Sequence, residues 1–292
     1  MREYTRPTAI ALGVFDGVHL GHRAVLNAVY ELYRNHSRKC GVFTFMTEDM
    51  ISEKNAQGYI YPSGQKSFLI ERTAGSPFVE FFNFKKMQHM DGRTFAKEIL
   101  HDYFYAKDVC CGKNFRFGEK ASCDVQDLEQ FGKWFGFQVH VIDDVRKDGV
   151  KISSTEIRRL LLNGEIEKAN QYLGQPYQIW QEVTHGAQLG RTIGFPTINQ
   201  VFREKQLVPK FGVYASETIF SDGRKFHSLT NIGMKPTVNY QGLPLAETYI
   251  EGFSGDLYGK FLNVKLLRFI RPEMKFDSVQ ALTEQMTKDL QS

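Results

Sequence analysis

Two histidines stand three residues apart in a glycine-rich stretch near the start of the chain, GVFDGVHLGH, residues 13–22. His19 and His22 flank Gly21, and Asp16 precedes them. Glycine lets the backbone come close to a phosphate, and histidine supplies donors that can become positively charged near neutral pH. A helical pattern follows, and the unpaired N–H groups of a helix start favour an anion. These residues together predict a phosphate-binding turn between a strand and a helix.

Two simpler interpretations of His19 and His22 stay open at this point. Histidines at this spacing occur in zinc sites, but such sites need further ligands, and none follows at a recognisable spacing. A loop histidine is most often a solvated surface residue. That interpretation is disfavoured because two histidines, an aspartate and three glycines occur together at one predicted strand–helix junction.

A second stretch with hydroxyl groups, KISSTEIRRLLL at residues 151–162, begins another helical pattern. Ser153 and Glu156 have the spacing of a capping box, so the stretch taken alone indicates a well-capped helix. Considered beside the first stretch, its hydroxyls and Arg158 suit a phosphate.

A third stretch, GAQLGRTIGFPTIN at residues 186–199, is rich in glycine. It is not a Walker P-loop, because no Lys-Ser or Lys-Thr pair follows the glycines. The Thr197 hydroxyl and the Asn199 amide oxygen are hard ligands that suit Mg²⁺. Glycine, proline, threonine and asparagine are also common in turns, and the residues alone favour a turn.

The composition is that of an ordinary folded protein. The chain has 292 residues, of which 42% are hydrophobic and 24% charged, enough for one large domain or two smaller ones. The formal net charge is +4 and the pI is about 8.7, which fits small anionic ligands and gives only weak support for nucleic acid. We expect no nucleic-acid partner.

Two features concern the cellular setting. The apolar run AIALGVF after the polar first residues is too short to cross a bilayer and is not a signal peptide. The four cysteines form no metal-type C-x-x-C pair and are too sparse for a disulfide scaffold. We therefore expect a cytoplasmic protein with reduced thiols and no membrane partner, either a monomer or a weak homo-oligomer.

Strand-like and helix-like patterns alternate in the first part of the chain. Helical patterns separate four predicted strands, at residues 9–15, 40–45, 107–112 and 137–142. Such alternation indicates β-α-β units around a doubly wound parallel sheet. Ligands of these sheets bind beyond the carboxyl ends of the strands.

The pattern of predicted secondary structure changes from about Tyr177 onward. Short strand-like segments separated by turn residues predict an antiparallel barrel or sandwich. They lie at residues 212–220, 225–233, 245–253 and 261–270. A final helix is predicted with Asp277 or Ser278 as its cap and with Val279, Leu282 and Met286 on one face. The boundary is predicted near Gly174, dividing the chain into residues 1–174 and 175–292.

The combination of motifs resembles one family. HLGH, ISSTEIR and the segment GKNFRFG at residues 112–118 resemble the nucleotidyltransferase half of the bacterial bifunctional riboflavin kinase/FMN adenylyltransferase family. GRTIGFPTIN, VPKFGVYA, NIGMKPTV, ETYIEGF and DLYGKFLNVKLLRFIRPEMKF resemble its riboflavin kinase domain and occur in the same order. HxGH alone would indicate only adenylyl transfer. The resemblance extends from about Thr8 to Leu290.

The resemblance implies an α/β chain with an N-terminal nucleotidyltransferase domain and a C-terminal β-barrel kinase domain. The kinase would convert riboflavin and ATP to FMN, and the first domain would convert FMN and a second ATP to FAD, with Mg²⁺ required. It makes His19, His22 and Glu247 catalytic, with Glu247 as general base on the riboflavin 5′-hydroxyl. An ordinary strand-face glutamate is the alternative for Glu247.

The resemblance also assigns binding residues. ATP or phosphate contacts fall on Gly13, Phe15, Asp16, Gly17, Gly21, Asn114, Ser153, Ser154, Thr155, Arg158, Gly190, Gly194 and Pro196. Thr197 and Asn199 would hold Mg²⁺, and Phe115 and Arg271 would contact flavin. Pairing with Glu273 or another neighbour is the alternative for Arg271.

Two segments depart from the family pattern, both in the first half. Residues 46–49, Met-Thr-Glu-Asp, stand where the family commonly has a turn with His-Pro, and Cys123 lies in a segment that usually contains glycine. These changes predict altered flavin affinity or adenylylation rate. A kinase with a degenerate first domain is therefore one alternative. A flavin-sensing protein that binds RNA or protein is another, which the intact motifs and the small net charge disfavour.

Overall fold

The computed structural model describes residues 4–36, 38–50, 57–75, 77–185, 194–234 and 242–291. Contacts between Cα atoms divide the chain into two compact units, Met1–Ser154 and Thr155–Ser292. Among the described residues, no helix is long and apolar enough to cross a membrane.

The first unit is built on a five-stranded parallel sheet, which confirms the predicted layer. The strands, in the spatial order β3-β2-β1-β4-β5, are β1 (Thr8–Leu12), β2 (Lys39–Phe45), β3 (Phe78–Phe82), β4 (Ala106–Gly112) and β5 (Gln138–Ile142). Every residue of β1 is buried, and β1 lies between two parallel neighbours. This burial explains its continuous apolar run.

Helices connect these strands. They are α1 (Leu20–His36), α2 (Ser63–Thr73), α3 (Phe84–Met87), α4 (Gly92–Thr94), which runs into a π-helix (Phe95–Tyr103), and α5 (Val125–Phe135). A 3₁₀ turn spans Thr47–Met50, and a small hairpin pairs β6 (Arg146–Lys147) with β7 (Val150–Lys151). The sequence patterns did not reveal α2 or β3.

The second unit contains a six-stranded antiparallel sheet in the spatial order β8-β13-β10-β11-β12-β9. Its strands are β8 (Tyr177–Glu182), β9 (Thr197–Val201), β10 (Gly212–Ile219), β11 (Lys225–Met234), β12 (Pro244–Ile250) and β13 (Phe261–Arg271). An antiparallel bridge between Thr184 and Asn199 joins the two edges of the sheet. The sheet therefore curls into a barrel, as predicted.

Three helices flank the barrel in sequence: α6 (Ser154–Asn163), α7 (Ile166–Leu173) and α8 (Val279–Gln291). The compact units divide ahead of the predicted boundary near Gly174, because α7 packs against β8 and β13. The predicted functional boundary stays a prediction.

The start of α8 is defined by a side-chain cap, as expected. The Ser278 hydroxyl accepts a hydrogen bond from the Ala281 N–H at 3.1 Å, so Ser278 is the cap. Val279 was expected to share one helix face with Leu282 and Met286; it is 60% exposed, whereas those two residues are half-buried. Val279 is the first helical residue, and the buried residue of this helix, Asp289, lies near the other end.

Candidate active sites

The loop from β1 to α1 has an unusual backbone. Phe15, Gly17 and Val18 have φ angles of 54°, 89° and 44°. Positive φ is easy for glycine but strained for phenylalanine and more so for a β-branched valine. The side chains of Phe15 and Val18 are buried, so core packing supports the strained path. Backbone strain of this kind is concentrated at functional loops.

The two histidines of this loop form one unit at the start of α1. Their rings stack with centroids 3.6 Å apart, and His19 is 5% exposed. The His22 N–H donates to His19 Nδ1 at 3.2 Å. Since Nδ1 accepts, the proton of a neutral His19 ring lies on Nε2, which becomes a donor. A Cβ atom at Gly21 would lie 3.1 Å from the His19 ring, so any side chain there would press on that ring.

The electrostatic state of His22 differs from that of a solvated histidine. Burial lowers its pKa well below the usual value of 6.5, and the charges of His19 and Lys66 lower it further. Its Nδ1 atom is buried and has no hydrogen-bond partner within the described part of the chain. His22 is therefore neutral at pH 7, and its unpaired Nδ1 atom lies away from water, where a hydrogen bond is stronger than in water.

Asp16 has its carboxylate turned to backbone donors. It accepts hydrogen bonds from the Ile60 N–H at 2.9 Å and the Tyr61 N–H at 3.4 Å. Its backbone carbonyl accepts from the Ser154 hydroxyl at 2.8 Å. Asp16 thus positions the loop, and Ser154 brings the start of the second motif to it. Ser153 directly precedes α6, while Thr155 and Arg158 belong to the second unit.

The loop after β4 lies at the same edge of the sheet as the histidines, because β1 and β4 are parallel neighbours. Asn114 donates to Asp144 Oδ1 at 2.9 Å, and Phe115 packs against the core of the unit. The strands that follow β1 in the chain first lie on one side of it, as β2 and β3, and then on the other side, as β4 and β5. Folds of this type bind their ligands at this point, between β1 and β4.

Glu247 and Asn199 are direct cross-strand partners in the second unit. The antiparallel register of β12 and β9 also pairs Tyr249 with Thr197. Directly opposed residues share a face, with Cβ atoms about 4.5–5.5 Å apart. Thr197 and Asn199 are two apart on one strand and share that face too. Three oxygen-bearing side chains therefore gather on one patch of the barrel.

Backbone contacts fix Asn199 in place. Its carbonyl accepts from the Thr184 N–H at 2.8 Å and from the Thr184 hydroxyl at 3.2 Å. Asn199 is 6% exposed, and Glu247 is half-buried. A polar group held in this way is pre-organised for a ligand.

A pocket of about 390 Å³ adjoins this patch, a volume typical of small-molecule sites. Its lining residues include the predicted Pro196 and Thr197, together with the loop from Phe253 to Tyr258. The Tyr258 ring stacks on His185 with centroids 3.7 Å apart. Gly194 directly precedes this region with a φ of 81°, whereas Gly190 lies outside the described residues.

The two halves match separate family models. Residues 1–156 match FAD synthetase, and residues 173–292 match riboflavin kinase. A bifunctional riboflavin kinase/FMN adenylyltransferase of Haemophilus influenzae is 32% identical over 290 residues, which cover 97% of this chain and 92% of that protein. One from Listeria monocytogenes is 33% identical and covers 97% of this chain and 90% of its own. The chain belongs to this bifunctional family.

A solved structure shares the fold over both units. A protein from Streptococcus pneumoniae, described as a macrolide-efflux protein, has a TM-score of 0.85 and 26% identity. The match covers 99% of this chain and 94% of that one. The chain thus consists of a FAD synthetase domain followed by a riboflavin kinase domain, and it is a transferase of phosphorus-containing groups.

In the FAD synthetase domain, the segment that departs from the family pattern supports a helix start. Glu48 accepts from the Ser63 N–H at 3.0 Å and also from its hydroxyl. The Thr47 N–H donates to the Ser63 hydroxyl at 2.8 Å. Burial raises the pKa of Glu48, but the hydrogen bonds from Ser63 bring it below its usual value. These contacts hold the first turn of α2.

The second departure, Cys123, is a free cysteine close to Gly92. A Cβ atom on Gly92 would lie 2.3 Å from the Cys123 sulfur. Cys123 also forms an antiparallel bridge with Phe117. The bulk of this cysteine is accommodated by a glycine on a facing segment, although its effect on flavin affinity stays a prediction.

In the riboflavin kinase domain, Arg271 pairs with Asp289 of α8. Its Nη2 atom lies 2.7 Å from Asp289 Oδ2, and the two side chains are 15% and 2% exposed. Glu273 instead accepts from Asn231 at 3.1 Å. The expected pairing of Arg271 is therefore found with a different acid from the one suggested, and contact with flavin stays a prediction.

The structure also bears on metal binding. Within the described ranges, no three His, Cys, Asp or Glu side chains gather as a metal-binding group. Enzymes that use ATP in this way generally need a divalent metal ion. The available donors at the kinase patch are a hydroxyl, an amide and one carboxylate, all oxygen ligands of the type preferred by Mg²⁺.

Proposed function

We propose that each domain carries its own reaction, phosphorylation of riboflavin to FMN in the second and adenylylation of FMN to FAD in the first. The observation that supports this assignment is that each domain holds a separate group of convergent polar residues. His19 and His22 stack at a helix start in one, and Asn199 and Glu247 face each other across two strands in the other.

In the kinase domain, Glu247 accepts the proton of the riboflavin 5′-hydroxyl as that oxygen attacks the γ-phosphorus of ATP. ADP leaves, and FMN forms. A positioned general base of this type contributes about 10²–10⁴-fold to rate. Thr197 and Asn199 would hold Mg²⁺ through their oxygens, and the ion supplies neutralisation of the triphosphate charge.

The pocket beside Thr197 would receive part of the nucleotide. Its volume suits a small ligand, and its lining mixes apolar residues such as Ile250 and Leu257 with Ser254 and Asp256. Gly190, Gly194 and Pro196 are assigned to ATP in this proposal from the resemblance.

In the FAD synthetase domain, an FMN phosphate oxygen attacks the α-phosphorus of ATP, and pyrophosphate leaves. The reaction needs no covalent enzyme intermediate, so the residues orient the phosphates and stabilise spreading negative charge. His19 donates from Nε2, and the N–H groups at the start of α1 add partial positive charge. The neutral His22 ring contributes a hydrogen bond.

Further contacts for this reaction are assigned by resemblance. Asn114, Ser153, Ser154, Thr155 and Arg158 would hold ATP, and Phe115 would contact the flavin. The short loop residues Gly13, Gly17 and Gly21 would let the phosphates approach the backbone.

The test supplies riboflavin in one reaction and FMN in another, each with ATP and Mg²⁺, and separates the flavins by chromatography. The proposal expects FAD from both reactions. FMN that accumulates from riboflavin, with supplied FMN left unchanged, would contradict the assignment of the first domain. Untouched riboflavin together with FAD from FMN would contradict that of the second.

A further inference from the structure

Lys66 is a buried lysine on α2 that none of the sequence motifs includes. Its exposed fraction is 0%, and its ammonium has three acceptors. It donates to the Val14 carbonyl at 3.1 Å, the Phe45 carbonyl at 2.7 Å and the Thr44 hydroxyl at 3.3 Å. An ammonium has three N–H donors, so these contacts account for all of them.

These contacts join the start of the histidine loop to the end of β2. Val14 is the second residue of the loop, and its carbonyl also accepts from the Thr44 hydroxyl at 3.0 Å. Phe45 is the last residue of β2. Lys66 therefore ties the carboxyl ends of two neighbouring parallel strands at the edge where His19 and His22 lie.

The loop and α2 hold each other reciprocally. Asp16 of the loop accepts from the N–H groups of Ile60 and Tyr61, just before α2, while Lys66 of α2 donates back to Val14. Two separate hydrogen-bonded connections resist rotation of the loop better than one.

The pKa of Lys66 reflects both its burial and the charged groups near it. Burial lowers its pKa to about 8, and the carboxylates of Asp16 and Glu48 oppose that shift. Its charge in turn lowers the pKa of His22, after burial and His19. The Phe81 ring lies 5.3 Å from the ammonium. These are the groups that face Lys66 from the loop, the 3₁₀ turn, α1 and β3.

We propose that Lys66 is a positioning residue for adenylyl transfer, which holds the histidine loop against the end of β2 and keeps His19 and His22 in their stacked arrangement. This inference rests on the adenylyltransferase activity proposed for the first domain. Lys66 reaches no reacting atom in this proposal. It acts through Val14 and the loop.

Deprotonation of Lys66 removes one of its three N–H donors. The rate of FMN adenylylation should therefore depend on pH. In the unaltered chain, kcat/KM for FMN adenylylation should fall above about pH 8, since kcat/KM reports the free enzyme. Riboflavin phosphorylation by the same chain should not fall with it. A role in stability alone would not produce such a limb while the protein stays folded.

The experiment measures kcat and KM for both reactions from about pH 7 to about pH 9.5 in the unaltered chain, Lys66→Met and Arg72→Met. Arg72 is an exposed cation on the same helix, and its variant is the matched control. Lys66→Met should lower adenylylation kcat about 100-fold, the usual effect of a small misplacement, and lose the alkaline limb. Arg72→Met should retain both reactions.

Equal adenylylation by Lys66→Met and the unaltered chain would overturn the inference and leave the proposed function intact. A flat adenylylation profile in the unaltered chain would overturn it as well, even if Lys66→Met failed to fold. An unaltered chain that makes FMN but no FAD would overturn the proposed function of the first domain and this inference with it.

Discussion

Glu247 and Asn199 lie directly opposite each other, on the neighbouring antiparallel strands β12 and β9. They are far apart in sequence, and the register of the barrel brings a carboxylate and an amide onto one face. Thr197 shares that face, two residues along the same strand. This pairing places the predicted base beside the predicted metal ligands, as the kinase chemistry requires.

The first prediction concerns Glu247 as a base. Glu247→Gln keeps the shape and removes the proton acceptor, so FMN formation should fall by about 10²–10⁴-fold. Adenylylation of supplied FMN should persist, because His19 and His22 are in the other domain. Initial rates with riboflavin or FMN measure the two effects separately.

Glu251→Gln is the matched control, since Glu251 is an exposed carboxylate that directly follows β12. It should leave both rates unchanged. Equal loss of FMN formation in both variants, or equal loss of both reactions in Glu247→Gln, would refute the role of Glu247.

The second prediction concerns the metal ligands. Asn199→Ala should raise the Mg²⁺ concentration for half-maximal FMN formation by roughly 10-fold, in line with the loss of one metal contact. The requirement for adenylylation should not change. Titration with Mg²⁺ after treatment with a chelator gives both values, and Asn163→Ala, an exposed amide in the same unit, serves as the control. An unchanged requirement in Asn199→Ala would argue against metal binding there.

The third prediction concerns the histidine pair. His22→Ala should lower adenylylation by about 100-fold, the effect of removing one preorganised polar contact, with riboflavin phosphorylation preserved. His89 is an exposed histidine in the same domain, and His89→Ala should affect neither reaction. Parallel loss of both reactions in His22→Ala would mean that the loop has no specific link to adenylylation.

The fourth prediction concerns the stability of the FAD synthetase domain. Lys66 has a pKa of about 8 in the folded state against 10.5 for an ordinary lysine. Below pH 8 the buried charge lowers the free energy of unfolding by its full amount. Between pH 8 and 10.5 the unfolded chain binds more protons than the folded chain does. The unfolding free energy of the unaltered chain should therefore rise across this window relative to Lys66→Met, by about 1 kcal/mol per pH unit.

Urea unfolding of the unaltered chain and Lys66→Met at a series of pH values measures that difference. The two proteins differ only at residue 66, so the effects of the other titrating groups cancel in the comparison. These groups include Cys110 and Cys111, whose pKa values burial raises to about 12. A difference that stays constant or shrinks with rising pH would show that Lys66 is not buried as a charge.

The fifth prediction concerns the attachment of α8. Asp289→Asn leaves the largely buried Arg271 guanidinium without its carboxylate, and loss of one partner of a buried pair costs about 3–5 kcal/mol. The kinase domain should be destabilised by that order. Arg271→Met combined with Asp289→Leu should recover much of it, as thermal unfolding would show. A double variant with ordinary stability but a greatly raised KM for riboflavin would favour flavin contact instead.

The centre of the parallel sheet could be predicted because β1, β2 and β4 are short, mostly apolar runs with mostly buried residues, whereas β3, which is only half-buried, was not predicted. Helix α2 could not be predicted either, since its buried positions include Ser63, Gln65 and Lys66 as well as Leu69 and Ile70. A polar buried face hides the periodicity on which helix prediction depends. The same feature concealed Lys66, since a lysine in sequence indicates a solvated surface.

The candidate sites were predictable to different degrees. Local spacing predicted that His19 and His22 lie together, because one loop and one helix start hold both, and their rings do stack. The pairing of Asn199 with Glu247 depends on strand register, which a one-residue slip would change. The partner of Arg271 depends on where the last helix packs, so the sequence suggested Glu273 or another neighbour, and the structure shows Asp289.

The central claim is that one chain transfers the γ-phosphoryl group of one ATP and the adenylyl group of another to the same flavin. The most direct measurement incubates the chain with riboflavin, Mg²⁺ and ATP labelled at either the α- or the γ-phosphorus, and follows the label into separated flavins. We expect the γ-label in FMN and FAD, and the α-label in FAD alone with release of pyrophosphate. An α-label that never enters a flavin, or a γ-label absent from FMN, would contradict the account.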